Sequence, residues 1–98
     1  LVETHDAQEM QSAVQAGARL IGVNNRNLKD FTVDLGNAAK LRNGTPKGTV
    51  FVAESGVSSP EDAAALRRTG ADAILVGEYL MRAADKKQAL HALREAAK

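Results

Sequence analysis

One pattern runs through this chain twice. Gly17-Ala18-Arg19-Leu20-Ile21-Gly22-Val23-Asn24 lines up with Gly70-Ala71-Asp72-Ala73-Ile74-Leu75-Val76-Gly77. Each block is preceded by a helical stretch and, before that, by a short apolar run ending in glutamate, Glu3 in one case and Glu54 in the other. The equivalent positions are therefore Glu3 with Glu54 and Asn24 with Gly77. Apolar periodicity predicts strands at about 1 to 3, 19 to 24, 49 to 54 and 72 to 77, and helices at about 7 to 16, 35 to 42, 60 to 69 and 86 to 97. Strands alternating with helices point to βα units and a parallel sheet.

Local signals mark the helix ends. Asp6 with Glu9, and Asp85 with Gln88, have the spacing of a capping box, and Ser59 precedes Pro60 at a first helical position. Gly17 and Gly70 close the first and third helices, where a left-handed residue is needed. Two strand-helix-strand-helix units make four strands, half of an eight-stranded barrel. A small open sheet is the other simple arrangement; it needs cover on both faces, and only four helices are available. Four parallel strands cannot close on themselves, so an inward face and both edges need a partner. Residues such as Val23, Val52 and Val76 are expected on that inward face. Leu1-Val2-Glu3 already reads as the end of a strand, so the chain is expected to be one half-barrel domain over 1–98, a piece of a larger fold lacking its N-terminal half.

Composition narrows the function classes. Thirteen basic and twelve acidic residues, scattered to a net charge of +1, form no basic stripe for nucleic acid. The absence of cysteine excludes disulfides and cysteine metal sites and agrees with a reducing compartment. No run approaches a membrane span, and no charged-then-apolar stretch of leader type is seen in these 98 residues. The two histidines have no metal-ligand spacing with acidic residues.

In a parallel barrel, chemistry sits at the carboxyl ends of the strands. Glu54 ends the run Val50-Phe51-Val52-Ala53, where a carboxylate is costly unless paired; the alternative to a catalytic role is a structural ion pair. Glu3 follows the same argument, and two inward carboxylates suit proton transfer if a cation sets their ionisation. Asn24-Asn25-Arg26-Asn27 follows the second strand. Asn24 is favoured as functional by its register with Gly77, Arg26 suits a carboxylate, and Asn25 and Asn27 read as turn formers. Ser55-Gly56 and Gly77-Glu78, one βα unit apart, resemble a barrel phosphate site, with Glu78-Tyr79-Leu80-Met81-Arg82 long enough for an extra helical turn. Glu78 is given a backbone role at most. His5 reads as a loop residue and His91 as a surface residue. No lysine stands at a predicted strand end, which leaves the two carboxylates without a proton donor.

With these residues in place, the chain resembles the C-terminal half of the indole-3-glycerol phosphate synthase family, strands five to eight of a (β/α)₈ TIM barrel. The matching segments are 1–6, 17–28, 52–57 and 70–78, with Asn24-Asn25-Arg26-Asn27-Leu28 and Ala53-Glu54-Ser55-Gly56 the most specific. The resemblance implies a carboxy-lyase of tryptophan biosynthesis, cytoplasmic and without metal or organic cofactor. Its reaction closes 1-(2-carboxyphenylamino)-1-deoxyribulose 5-phosphate to indole-3-glycerol phosphate with loss of carbon dioxide and water. By position it implies Glu3 as a proton acceptor, Glu54 as a support of the catalytic network and Asn24 as a substrate-positioning amide. It also implies Arg26 near the substrate's anionic groups, and Ser55, Gly56, Gly77 and the Glu78 backbone at the phosphate. The family's catalytic lysines and another glutamate belong to the first half, so the 98 residues alone are expected to be inactive. Two other readings stand beside this one: a non-catalytic half-barrel that pairs with a second copy of itself, and half of another phosphate-binding barrel, such as an isomerase of the same pathway. The Asn-Asn-Arg-Asn block argues against the last.

Overall fold

A computed structural model describes residues 1–26 and 36–98. The elements run β1 (Val2–Thr4), α1 (Ala7–Gln15), β2 (Leu20–Asn24), α2 (Gly36–Arg42), β3 (Val50–Glu54), α3 (Pro60–Arg68), β4 (Ala73–Leu75), α4 (Glu78–Arg82) and α5 (Lys86–Ala96). All four strands are parallel and lie in sequential order, β1-β2-β3-β4. The anticipated turn at Glu78 is the short α4. Asn27, and residue 35 at the expected start of α2, lie outside the described residues.

The caps explain where the helices begin. Asp6 accepts from the Glu9 backbone N–H, Ser59 from that of Asp62 and Asp85 from that of Gln88. Such a side chain satisfies one of the helix's orphan donors, and its loss typically costs about 1 kcal/mol. The box at α1 closes one residue early: the Glu9 carboxylate accepts from the backbone N–H of His5, at 2.7 Å, rather than from Asp6. Gly17 and Gly70 follow α1 and α3 at φ 85° and 98°.

The helices pack on one face of the sheet. Met10, Ala13, Ala38, Leu41, Ala63, Leu66 and Leu93 from the helices meet Ile21, Val23, Phe51 and Ala53 from the strands. Because side chains alternate along a strand, Leu20, Gly22 and Asn24, and likewise Val50, Val52 and Glu54, face the other way. The structure corrects the expected inner face here. Val23 is fully buried on the helix side and Val76 packs against the helix-side core, so of the three valines only Val52 faces inward. The inward surface carries Leu20, Val50 and Leu75, exposed at 40%, 44% and 55%. Parallel strands covered on both faces read as unbroken apolar runs, which hides the parity.

At the amino ends of the strands a polar clasp holds β3 to β4. The Phe51 N–H donates to the Asp72 carboxylate at 2.9 Å, and the Asp72 N–H donates to the Phe51 carbonyl at 2.9 Å. Arg42 stands 3.7 Å from the same carboxylate and 5.4 Å above the Phe51 ring. This end of the sheet serves stability; the carboxyl end holds the polar groups.

Candidate functional site

Register brings the two glutamates together. Glu3 pairs with Gly22, which pairs with Val52, so Glu54 lies two residues further along β3. In an eight-stranded barrel of shear eight the stagger is one residue per strand, and side chains from alternate strands share a layer. Two strands apart and two residues higher, Glu3 and Glu54 belong to one layer. The same count pairs Asn24, level with Leu75 through Glu54, with Gly77, two residues beyond it. The sequence repeat is thus the layer structure of the barrel.

Between the glutamates stands Gly22. A Cβ there would collide with the Glu54 Oε1 and stand 3.3 Å from Leu1, so the bare backbone gives the carboxylate its room. Glu54 is 3% exposed, and its Oε1 has no hydrogen-bond partner among the described residues. Two ionised carboxylates cannot bond to each other, whereas one proton between them makes a bond. Burial, then the hydrogen bond to Glu3 and the Glu3 charge, push Glu54 from 4.5 up to about 7, against a smaller downward pull from His5. Near neutral pH Glu54 therefore keeps a proton for much of the time beside the half-exposed Glu3.

His5 sits in the bend between β1 and α1, a loop residue as expected, and its side chain meets an acid on either side. Its ring lies between Glu9, 3.0 Å from Nδ1, and Glu3, 3.4 Å from Nε2. The signal in the sequence is Glu-x-His followed by glutamate four residues on, at the first turn of a helix. Asn24 does not reach the glutamates by any described bond: its Oδ1 accepts from the Arg26 N–H at 2.9 Å, an Asx turn that shapes the following loop. Asn25 has the structural role expected of it. Buried, it donates from its backbone to the Glu54 carbonyl at 2.8 Å and from its side chain to the Ser55 carbonyl at 3.2 Å, tying the β2 and β3 exits together.

A second cluster forms beside the first. Ser55, Gly56 and Gly77 line a cavity of about 740 Å³ with Arg26, Glu78 and Arg82 on its wall. Ser55 and Gly56 have φ 68° and 89°; the left-handed conformation costs a residue with a side chain about 1–2 kcal/mol. Strain of this kind concentrates at functional loops. The Glu78 side chain does more than the backbone role given to it, lying 2.9 Å from Arg82 and 3.8 Å from Arg26. Its carboxylate offsets one of the two guanidinium charges, and the cavity keeps a net positive wall. The Arg26 Nε is buried without a partner among the described residues. Those residues include no group of three histidines or acids placed to share a metal ion. The arrangement offers proton exchange at the carboxylates and an anion seat beside them.

The family model for indole-3-glycerol phosphate synthase matches residues 1–93. The chain is 52% identical over 97 residues to the indole-3-glycerol phosphate synthase of Ruminiclostridium cellulolyticum, covering 99% of this chain and 37% of that protein. It is 51% identical over 94 residues to that of Leuconostoc mesenteroides, covering 96% and 36%. The chain thus spans little more than a third of these relatives' length. Among solved structures it is similar to thiamine phosphate pyrophosphorylase from Pyrococcus furiosus, with a TM-score of 0.79 at 25% identity over 97% of this chain and 46% of that one. It also shares the fold of (S)-3-O-geranylgeranylglyceryl phosphate synthase from Thermoplasma acidophilum, with a TM-score of 0.76 at 24% identity over 94% and 36%. Four parallel strands alternating with helices, the arrangement of half a (β/α)₈ barrel, and a match over nearly the whole chain lead to one assignment: this chain belongs to the indole-3-glycerol phosphate synthase family.

Proposed function

We propose that residues 1–98 form the fifth to eighth strands of a barrel that makes indole-3-glycerol phosphate from 1-(2-carboxyphenylamino)-1-deoxyribulose 5-phosphate, with loss of carbon dioxide and water, in the cytoplasm. The unequal carboxyl pair beside an anion-sized cavity, on a chain of this family, carries the reading. Glu3 takes the proton released as the indole ring forms. Glu54, whose proton affinity burial raises, holds the shared proton and keeps Glu3 oriented; paired groups pushed apart in this way divide acid and base roles. Asn24 positions the substrate from the neighbouring strand, and Arg26 attracts its carboxylate. Ser55, Gly56, Gly77 and the Glu78 backbone receive the phosphate.

Among the described residues no lysine stands at the carboxyl end of a strand, and we assign the acid that protonates the leaving hydroxyl to another segment, as the family resemblance implies. That segment is a preceding half-barrel, which also covers the inward leucines and valines; for the 98 residues made alone, a second copy is the cover available. Titration of the 98-residue chain with inorganic phosphate, followed by amide NMR, tests the anion seat. The expected result is that Ser55, Gly56 and Gly77 shift together and saturate; shifts elsewhere with none at these three overturn it.

A further inference from the structure

The backbone of His5 is held on both sides of its Cα. Its N–H donates to Glu9 Oε1 at 2.7 Å, and its carbonyl accepts from the Asn37 side chain on α2 at 3.3 Å. The ring is thereby aimed, with Nδ1 3.0 Å from Glu9 and Nε2 3.4 Å from Glu3. An ionised carboxylate only accepts. At the closer contact the ring must donate, which places hydrogen on Nδ1 and turns the Nε2 lone pair toward Glu3. A lone pair and a carboxylate oxygen repel, so the contact at Nε2 is attractive only with a proton in the gap.

We propose that His5 is a positioning residue for the inward carboxyl pair: Glu9 fixes its tautomer, and its Nε2 receives the proton that Glu3 has accepted. The step rests on the reading of Glu3 as the proton acceptor. One proton leaves the Glu3 carboxyl for Nε2, Glu3 returns to its ionised form, and the ring becomes a cation between Glu3 and Glu9. Among the described residues, the charged and titratable groups facing the ring are Glu3 on β1, Glu9 on α1 and, through Glu3, Glu54 on β3; α2 contributes the neutral Asn37. His5 supplies the cation that two adjoining carboxylates require and that the described lysines do not.

The test is made on the ligand-free 98-residue chain. Ring ¹⁵N NMR at pH 9, with exposed His91 as internal reference, reads the tautomer: His5 is expected with hydrogen on Nδ1, and Glu9→Ala is expected to move it to Nε2. A wild-type His5 with hydrogen on Nε2, or a pattern that survives Glu9→Ala, overturns the proposal. In the second arm, His5→Gln removes the downward pull on Glu54, and the Glu54 carboxyl ¹³C midpoint is expected to rise. An unchanged midpoint overturns the proposal as well. Neither readout involves substrate or phosphate, so failure of the anion seat and failure of this coupling are told apart.

Discussion

Replacing Glu54 by glutamine separates the energetics of the carboxyl pair from everything else in the fold. In the folded chain the Glu54 proton is held up to about 7, against 4.5 for an ordinary glutamate. The folded state therefore binds this proton more tightly than the unfolded state does. The stability it contributes is fully present below pH 4.5 and is lost as pH rises through about 7. At about 1.36 kcal/mol per unit, the shift of some 2.5 units corresponds to about 3 kcal/mol. Glutamine carries no titrating proton and can donate its amide to Glu3, so the variant escapes the loss. Urea unfolding of both proteins at pH 4.5 and pH 8 measures the difference; with a slope of about 1 kcal/mol per molar, the wild-type midpoint falls by roughly 3 M relative to the variant. Carboxylates remote from the pair titrate in both proteins and cancel in the comparison. An equal change with pH in the two proteins, or a wild type that gains stability relative to the variant at pH 8, refutes the reasoning.

Three further outcomes follow from the packing. Asp72→Ala leaves the Phe51 N–H without the acceptor it has at 2.9 Å, and should lower unfolding free energy by about 1–3 kcal/mol in the same urea assay. Gly22→Ala drives a methyl against the Glu54 carboxylate; a loss of about 1–3 kcal/mol is expected, with a chemical-shift change at Glu54 that a remote cavity would not produce. The 98-residue chain made alone should self-associate through the inward face that exposes Leu20, Val50 and Leu75, and a sedimentation coefficient independent of concentration at the monomer value would contradict that.

The strands, the helix caps and the equivalence of Glu3 with Glu54 were legible because each is a local or repeated signal. Asp6, Ser59 and Asp85 announce helices through their own hydrogen bonds, and the repeat places Glu3 and Glu54 at equivalent strand ends. The orientation of Val23 and Val76 was not legible, since a strand buried on both faces has no alternation to read. The parity was nonetheless present in the chemistry: an inward Asn24 requires an outward Val23. Side-chain partners chosen in three dimensions were hidden too. Glu78 meets Arg82 along its own helix but Arg26 across two strands, and His5 gains its meaning only when Glu3 and Glu9 are seen on either side of its ring.

We propose that these residues supply the proton-accepting and phosphate-binding half of an indole-3-glycerol phosphate synthase. Mixing the 98-residue chain with the separately produced preceding segment of the Ruminiclostridium cellulolyticum relative, and following indole-3-glycerol phosphate formation by fluorescence, tests it most directly. The expected results are no formation by either piece alone, formation by the mixture, and a loss of about 10²- to 10⁴-fold when the chain carries Glu3→Gln. Formation by the 98-residue chain alone, or a mixture indifferent to Glu3→Gln, would contradict it.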